Sequence, residues 1–426
     1  MMKPIKLLIA LLLAAGPSPL RAQTDTTVFS LLDLARPGLE RVAALHAAGD
    51  DTAAAEALLD YYRRRTGVVC PEANLVDITI TPDEQRWADE AMHHRFFVHK
   101  GYQPSYFYGD DIDWEYWPVK DNELRWQLHR HYWFIPLAKC YYTTGDAKYM
   151  DEFERALYNN VLAGVAASGR QYTYQNPLNT DRSERWEWHP CPCCPPMFLK
   201  IVSATPEFIY ARDDRTVYVN LFIGSDADIA LGDTQVHVRQ QTRYPVDGKV
   251  VLTLTPEKAA RFTVKVRIPG WARGEENPFG LYVSESPAAP VLSVNGTPVE
   301  IRPDKGYALL DRVWNPADRI VLELPVAPRL VRAHKAAREL DGMAAIAAGP
   351  LVYCIEQADN ADYARLRLDT AGSMELGYRS DLMDGTPVIT GTAIDGKGAK
   401  STFTAIPYYA FGNRGNGGYR VWLPTR

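Results

Sequence analysis

The hydrophobic period of this 426-residue chain changes once, near residue 213, and that limits the fold more than any other feature. Before it, apolar residues recur at helical spacing in PGLERVAALHAAG (37–49), DTAAAEALLDYYRRR (51–65), TPDEQRWADEAMHHRFF (81–97), NELRWQLHRHYWFIPLAKCYY (122–142), DAKYMDEFERALYNNVLAGVA (146–166) and PPMFLKIVSATPEFIYA (195–211). Thr81, Pro82 and Glu84 spell a capping box with proline at the first helical position. Asp146 predicts another N-cap, and Pro136 a kink. After residue 213 the period is two. TVYVNLFIG, TQVHVRQQT, KVVLTLT, RFTVKVRIPGW, YALLDRVW and RIVLELP predict short strands separated by Gly, Pro, Asn or Asp. Helices first and strands afterwards predict an α+β multidomain chain whose strands form one or two antiparallel sandwiches.

The N-terminus, MMKPIKLLIALLLAAGPSPLRAQ, predicts a secretory signal peptide over residues 1–22, cleaved after Ala22. Its apolar core is too short to span a bilayer, so we expect a periplasmic or secreted protein without a membrane anchor. A net charge of −5, with no long like-charge run, argues against nucleic acid as a partner. Tyrosine (24) and tryptophan (10) are abundant, which suits either sugar stacking or a well-packed core.

Three of the six cysteines fall in HPCPCCPP, residues 189–196; the others, Cys70, Cys140 and Cys354, are scattered. Adjacent Cys193 and Cys194 can pair with each other only in a strained ring, so an ordinary disulfide framework is not expected. Pro195 and Pro196 lead the chain into a helix, whose N-terminus favours a thiolate. The box therefore reads as part of a zinc site, as a reactive thiolate, or as small residues packed before a helix. Glu187, His189, Cys191 and Cys193 alternate and would share one face of an extended segment. A shell of His189, Cys191 and Cys194 with Cys193 or Glu187 is one way to complete a metal site. His129 and His131 read as packing or surface residues. Trp114, Tyr116 and Trp117 read either as a sugar platform or as a packed loop.

Read in order, ALYNNVLAGV, YQNPL, WHPCPCCPPMFLK, TVYVNLFIGSDA, VRIPGWA, GYALLDRVW and GPLVYC resemble glycoside hydrolase family 127, typified by bacterial β-L-arabinofuranosidases. The resemblance begins near Thr144 and extends at least to Asn360. It implies a zinc-bound cysteine nucleophile acting with retention. Carried onto this chain, Cys193 attacks the anomeric carbon, Cys194 holds zinc, and Tyr174 and Asn176 line the sugar site. The family's remaining zinc ligands lie on a Glu-x-Cys motif, which occurs nowhere in this sequence. The earlier part, through ADEAMHHRFFVHKGY, DDIDWEYWP and WQLHRHYWFIPLAKCYYTTGDAKY, resembles the N-terminal helical domain of heparinase II/III lyases, an incomplete α/α toroid. The expected organisation is a lyase-like helical region over 27–143, a hydrolase-type helical segment over 144–212, and β-sandwich over 213–426. Three readings follow: a retaining arabinofuranosidase, a uronate-directed polysaccharide lyase, and a non-catalytic carbohydrate-binding protein. All three take an oligo- or polysaccharide as partner.

Overall fold

The computed structural model describes residues 27–64, 80–96, 105–108, 118, 120, 145–191, 193–277, 280–285 and 288–426. The signal segment and Cys70, Trp114, Tyr116, Trp117, His129, His131, Pro136 and Cys140 lie outside the described residues. So do most residues between 97 and 144, on which the toroid expectation depends. No described helix is long and apolar enough to cross a membrane.

The architecture is mixed, helical first and then largely antiparallel β. Helices α1 (Thr27–Leu31), α2 (Glu40–Ala47) and α3 (Asp51–Arg64) share a small core of Phe29, Leu39, Val42, Ala54, Ala57 and Leu58. Helix α4 (Pro82–Met92) starts as its sequence predicts. Thr81 Oγ1 accepts from the Glu84 N–H at 3.2 Å, and the Glu84 carboxylate accepts from the Thr81 N–H at 2.9 Å. Helix α5 (Lys148–Ala156) widens into a π-helical turn at Leu157–Val161. Asp146 does not cap it at the expected position; its carboxylate instead accepts from the Lys148 N–H at 3.0 Å. Helix α6 runs from Cys194 to Ala204, with Pro195 and Pro196 in its first turn, where their missing N–H groups cost nothing.

Among the described residues the strands form four sheets, the smallest being the two-stranded pair Arg95–Phe96 and Tyr106–Phe107. A six-stranded sheet, containing Thr234–Thr242, Lys249–Pro256 and Asp318–Glu323, faces a four-stranded sheet containing Thr216–Val219, Ala260–Arg267 and Tyr307–Trp314. Inward residues of both, among them Val238, Leu252, Ile320, Val219, Val264 and Trp314, share one core. Among the described strands the expected antiparallel order is broken where Thr216–Val219 runs parallel to Ala260–Arg267. A third, larger sheet follows, and its central strands Met343–Ala348 and Leu351–Glu356 are buried on both faces. Along Leu351–Glu356, Tyr353 and Ile355 join the sandwich core, while Cys354 turns to a second cluster with Tyr408, Phe411, Tyr419 and Trp422.

Two polar anchors bind the segment after residue 145 to these sheets. Arg267, with no solvent exposure, meets Asp151 at 2.6 Å and Glu154 at 2.5 Å on α5, and donates Nε to the Asn220 carbonyl at 2.5 Å. Burial pushes the Glu154 carboxyl up while Arg267 pulls it back; at this distance we read the pair as ionised. Asn159, inside the π turn, donates to the Pro350 carbonyl at 2.8 Å and accepts from the Val352 N–H at 2.7 Å. An Asn159→Ala variant strands both backbone groups and is expected to cost about 2–3 kcal/mol, measured by urea unfolding.

A third pair ties the end of the first sandwich to the start of the large sheet. Arg329 meets Glu276 through Nε at 2.5 Å and Nη2 at 3.0 Å. Burial raises the Glu276 carboxyl, but Arg329 and the Ser284 hydroxyl outweigh it and hold it below the usual range. Its stabilising contribution is complete above the unfolded carboxylate value, about 4.3, and disappears as pH falls through the lower folded value. Melts of wild type and Glu276→Gln are therefore expected to converge below about pH 4, with wild type the more stable above it.

Candidate functional site

The cysteine box sits where a two-stranded turn meets α6. Tyr172 and Trp186 exchange backbone hydrogen bonds at 2.9 and 2.8 Å, which places the ends of the 172–174 and 186–189 segments side by side. The His189 ring stacks on Tyr174 with centroids 4.8 Å apart and 17° between planes, and lies tilted against Trp186 at 4.8 Å. Beyond His189 the chain turns tightly, and the Cys191 N–H donates to His189 Nδ1 at 3.1 Å. Trp188, between the two ring residues, is 72% exposed.

The three thiols gather as the sequence predicts. Cys191 Sγ is 3.6 Å from Cys193 Sγ, and Cys193 Sγ is 4.0 Å from Cys194 Sγ. Tyr174 donates its hydroxyl to Cys191 Sγ at 3.8 Å, a bond that raises the phenol above its ordinary value. Cys191 and Cys193 are exposed and Cys194 is partly covered. Burial, reinforced by the neighbouring thiols, pushes Cys194 up to about 11. At neutral pH it is a thiol unless a cation stands beside it.

Whether zinc fits can be judged from these sulfurs. Two thiolates on one tetrahedral zinc, each about 2.3 Å away, are about 3.8 Å apart, and the two observed separations bracket that value. Among the described residues, however, no group of three or more His, Cys, Asp or Glu side chains forms a metal shell. Glu187 points to solvent, and the sequence offers no Glu-x-Cys. The thiols thus match part of a zinc shell, and the described residues leave it short of donors.

The remaining site residues separate. Tyr174 borders the thiols with its ring half in solvent. Asn176 bonds within the turn: its Oδ1 accepts from Thr173 Oγ1 at 2.5 Å, and its Nδ2 donates to Asn160 Oδ1 at 3.1 Å.

Sequence reading missed the residues that hold this loop. Buried Arg185 donates to the carbonyls of Phe411 (2.8 Å), Ala163 (3.1 Å) and Tyr409 (3.2 Å), and its guanidinium lies over the Phe411 ring. Burial lowers it to about 10. Tyr408 and Tyr419 donate their hydroxyls to the Pro177 carbonyl, and Asn179 accepts from the N–H groups of Val421 and Trp422. Nothing in SERWEW marks Arg185 as buried. VRIPGW and GPLVYC read as strands of the sandwich core; the strands hold only Val266–Arg267 of the first and Leu351–Cys354 of the second, and Arg267 and Pro350 anchor the helical segment. An arginine among inward-facing apolar residues was the available signal for the first.

Residues 28–211 match the family described as Heparinase II/III N-terminus, 216–326 the Beta-L-arabinofuranosidase, GH127 middle domain, and 328–424 the Glycoside hydrolase family 127 C-terminal domain. A heparin-sulfate lyase from Bacteroides stercoris is 48% identical over 224 residues, covering 49% of this chain and 34% of that protein. A non-reducing end beta-L-arabinofuranosidase from Bifidobacterium longum subsp. longum is 31% identical over 315 residues, covering 65% and 45%. The crystal structure of a GH127 beta-L-arabinofuranosidase from Geobacillus stearothermophilus T6 superposes with a TM-score of 0.64 at 28% identity, covering 90% of this chain and 59% of that one. The chain spans less than half the length of either curated relative. Residues after 215 alone cannot supply 65% of this chain, so the likeness to the Bifidobacterium protein also runs upstream of them.

Proposed function

We infer that this chain, which carries the middle and C-terminal domains of glycoside hydrolase family 127 behind a heparinase II/III N-terminal region, is an exported glycosidase that takes β-L-arabinofuranosides. The observation that carries the reading is the gathering of Cys191, Cys193 and Cys194 at the start of α6, on a loop fastened to the family 127 C-terminal domain. The segment over 144–212 works with the sandwiches in this reading, because Arg267, Asn159 and Arg185 tie it to them.

Cys193 is the nucleophile. It is exposed, next to the helix N-terminus, and 3.6 and 4.0 Å from its two neighbours. Its sulfur forms a bond to the anomeric carbon on the face opposite the leaving oxygen as that bond breaks, a carboxylic acid being required to protonate the departing oxygen; water, deprotonated by the resulting carboxylate, then displaces the sulfur from the opposite face, and the two inversions retain configuration. Cys191 and Cys194 would hold zinc together with Cys193. Zinc, when bound, keeps clustered sulfurs ionised at neutral pH. Tyr174, bonded to the neighbouring Cys191 sulfur, would offer its exposed ring to the sugar.

The test is release of L-arabinose from an aryl β-L-arabinofuranoside by protein purified without chelator and supplied with zinc. Release that is lost on chelation supports the reading. Absence of release from a protein that melts cooperatively and holds zinc overturns it. The N-terminal match favours a second reading, a polysaccharide lyase. That activity would yield an unsaturated, ultraviolet-absorbing product from heparan sulfate, and a flat absorbance trace rejects it.

A further inference from the structure

His189 stands next to the thiols, and its ring is fixed in three ways. Tyr174 stacks on it, Trp186 lies tilted against it, and Nδ1 accepts the Cys191 N–H at 3.1 Å. A ring nitrogen that accepts a hydrogen bond carries no proton, so the proton of the neutral ring is on Nε2. A metal on Nε2 would need that proton moved to Nδ1, where it would face the Cys191 N–H donor to donor. Among the described residues no hydrogen bond engages Nε2, and the ring is only partly covered.

We propose that His189 is a fixed hydrogen-bond donor, through Nε2–H, to an oxygen of the sugar that Cys193 attacks, and that it does not ligate zinc. This rests on the arabinofuranoside reading above and adds to it a residue that selects and orients the substrate. The Cys191 N–H sets the tautomer, so the turn that brings the thiols together also sets the donor. A hydroxyl-rich ring suits it: a neutral N–H binds a hydroxyl or ether oxygen without giving up its proton.

The experiment is an NMR titration of the full chain labelled with nitrogen-15 in the histidine and tryptophan rings and carbon-13 in the tyrosine rings, first with zinc chloride and then with methyl β-L-arabinofuranoside. The expected result is an Nε2–H tautomer at His189 that zinc does not move and the sugar does. His189→Gln, which can place an amide N–H near Nε2, is expected to keep sugar affinity within a few-fold. His189→Asn, which keeps only the acceptor toward Cys191, is expected to lose roughly ten-fold, the effect of one neutral hydrogen bond. An Nδ1–H tautomer, or a large shift of Nε2 on adding zinc, overturns the proposal. So does a sugar titration that moves the Tyr174 and Trp186 signals and leaves His189 unchanged, although the substrate reading then stands. If the sugar moves none of the three rings, the substrate reading fails and the donor role fails with it.

Discussion

Replacing Arg267 with Met is expected to destabilise the protein by about 3–5 kcal/mol in urea unfolding, enough to consume much of an ordinary domain's stability. The side chain is fully buried and faces two carboxylates, Asp151 and Glu154, on α5. Its removal leaves both uncompensated in a low-dielectric interior. Arg273, 3.1 Å from Asp151, can offset one of them only in part. The variant is also expected to uncouple α5 from the sandwich, so that near-ultraviolet dichroism of the aromatic site and loss of sheet structure no longer melt together. The triple variant Asp151→Asn, Glu154→Gln, Arg267→Met separates the causes. If stranded charge is responsible, it recovers most of the loss, because breaking a buried pair costs far more than replacing the whole group. If the triple variant is as unstable as the single one, packing of the long side chain is what matters, and the electrostatic account is wrong.

The second large effect is catalytic. Cys193→Ser is expected to lower turnover of an aryl β-L-arabinofuranoside on the order of 10³-fold or more, with little change in melting temperature. The side chain is exposed and its removal opens no cavity, so stability and activity should separate cleanly at this position. Cys194→Ser is expected to abolish zinc retention as well, because it removes a half-covered sulfur at the head of α6. Zinc per chain, measured on both variants and on wild type, distinguishes the two roles. Equal activity of Cys193→Ser and wild type would assign any hydrolysis to another residue.

Much of this architecture could be read from periodicity alone. Thr234–Thr242 and Tyr307–Trp314 have the bounds that alternation suggests, because each has one face on the core and the period therefore survives in the sequence. The Thr81 capping box was equally plain, since its two hydrogen bonds are local. The cysteine box announced its gathering because prolines and a helix start act within a few residues. What could not be read is non-local. Arg185 and Asn159 find partners more than 190 residues away, and no spacing rule reports an acceptor at that distance. The parallel pairing of Thr216–Val219 with Ala260–Arg267 is likewise a matter of topology, invisible to a pattern that gives only which face is buried. Asn176 was assigned to the sugar by family position, and no spacing rule showed that its side chain also bonds Thr173 and Asn160.

The fastening of the thiol loop to residues 408–422 has a consequence for the order in which the molecule assembles. Asn179 and Arg185 close contacts with Trp422 and Phe411 across more than 220 residues, the kind of long-range closure that forms late and slowly. During synthesis the thiols therefore emerge long before the wall that positions them. Until the last sheet is complete, Cys191, Cys193 and Cys194 are three flexible thiols on an unanchored segment, open to any oxidant or metal they meet. The arrangement of the thiols is completed by the arrival of the final strands, and the interval before that is when the protein is most exposed to incorrect sulfur pairing.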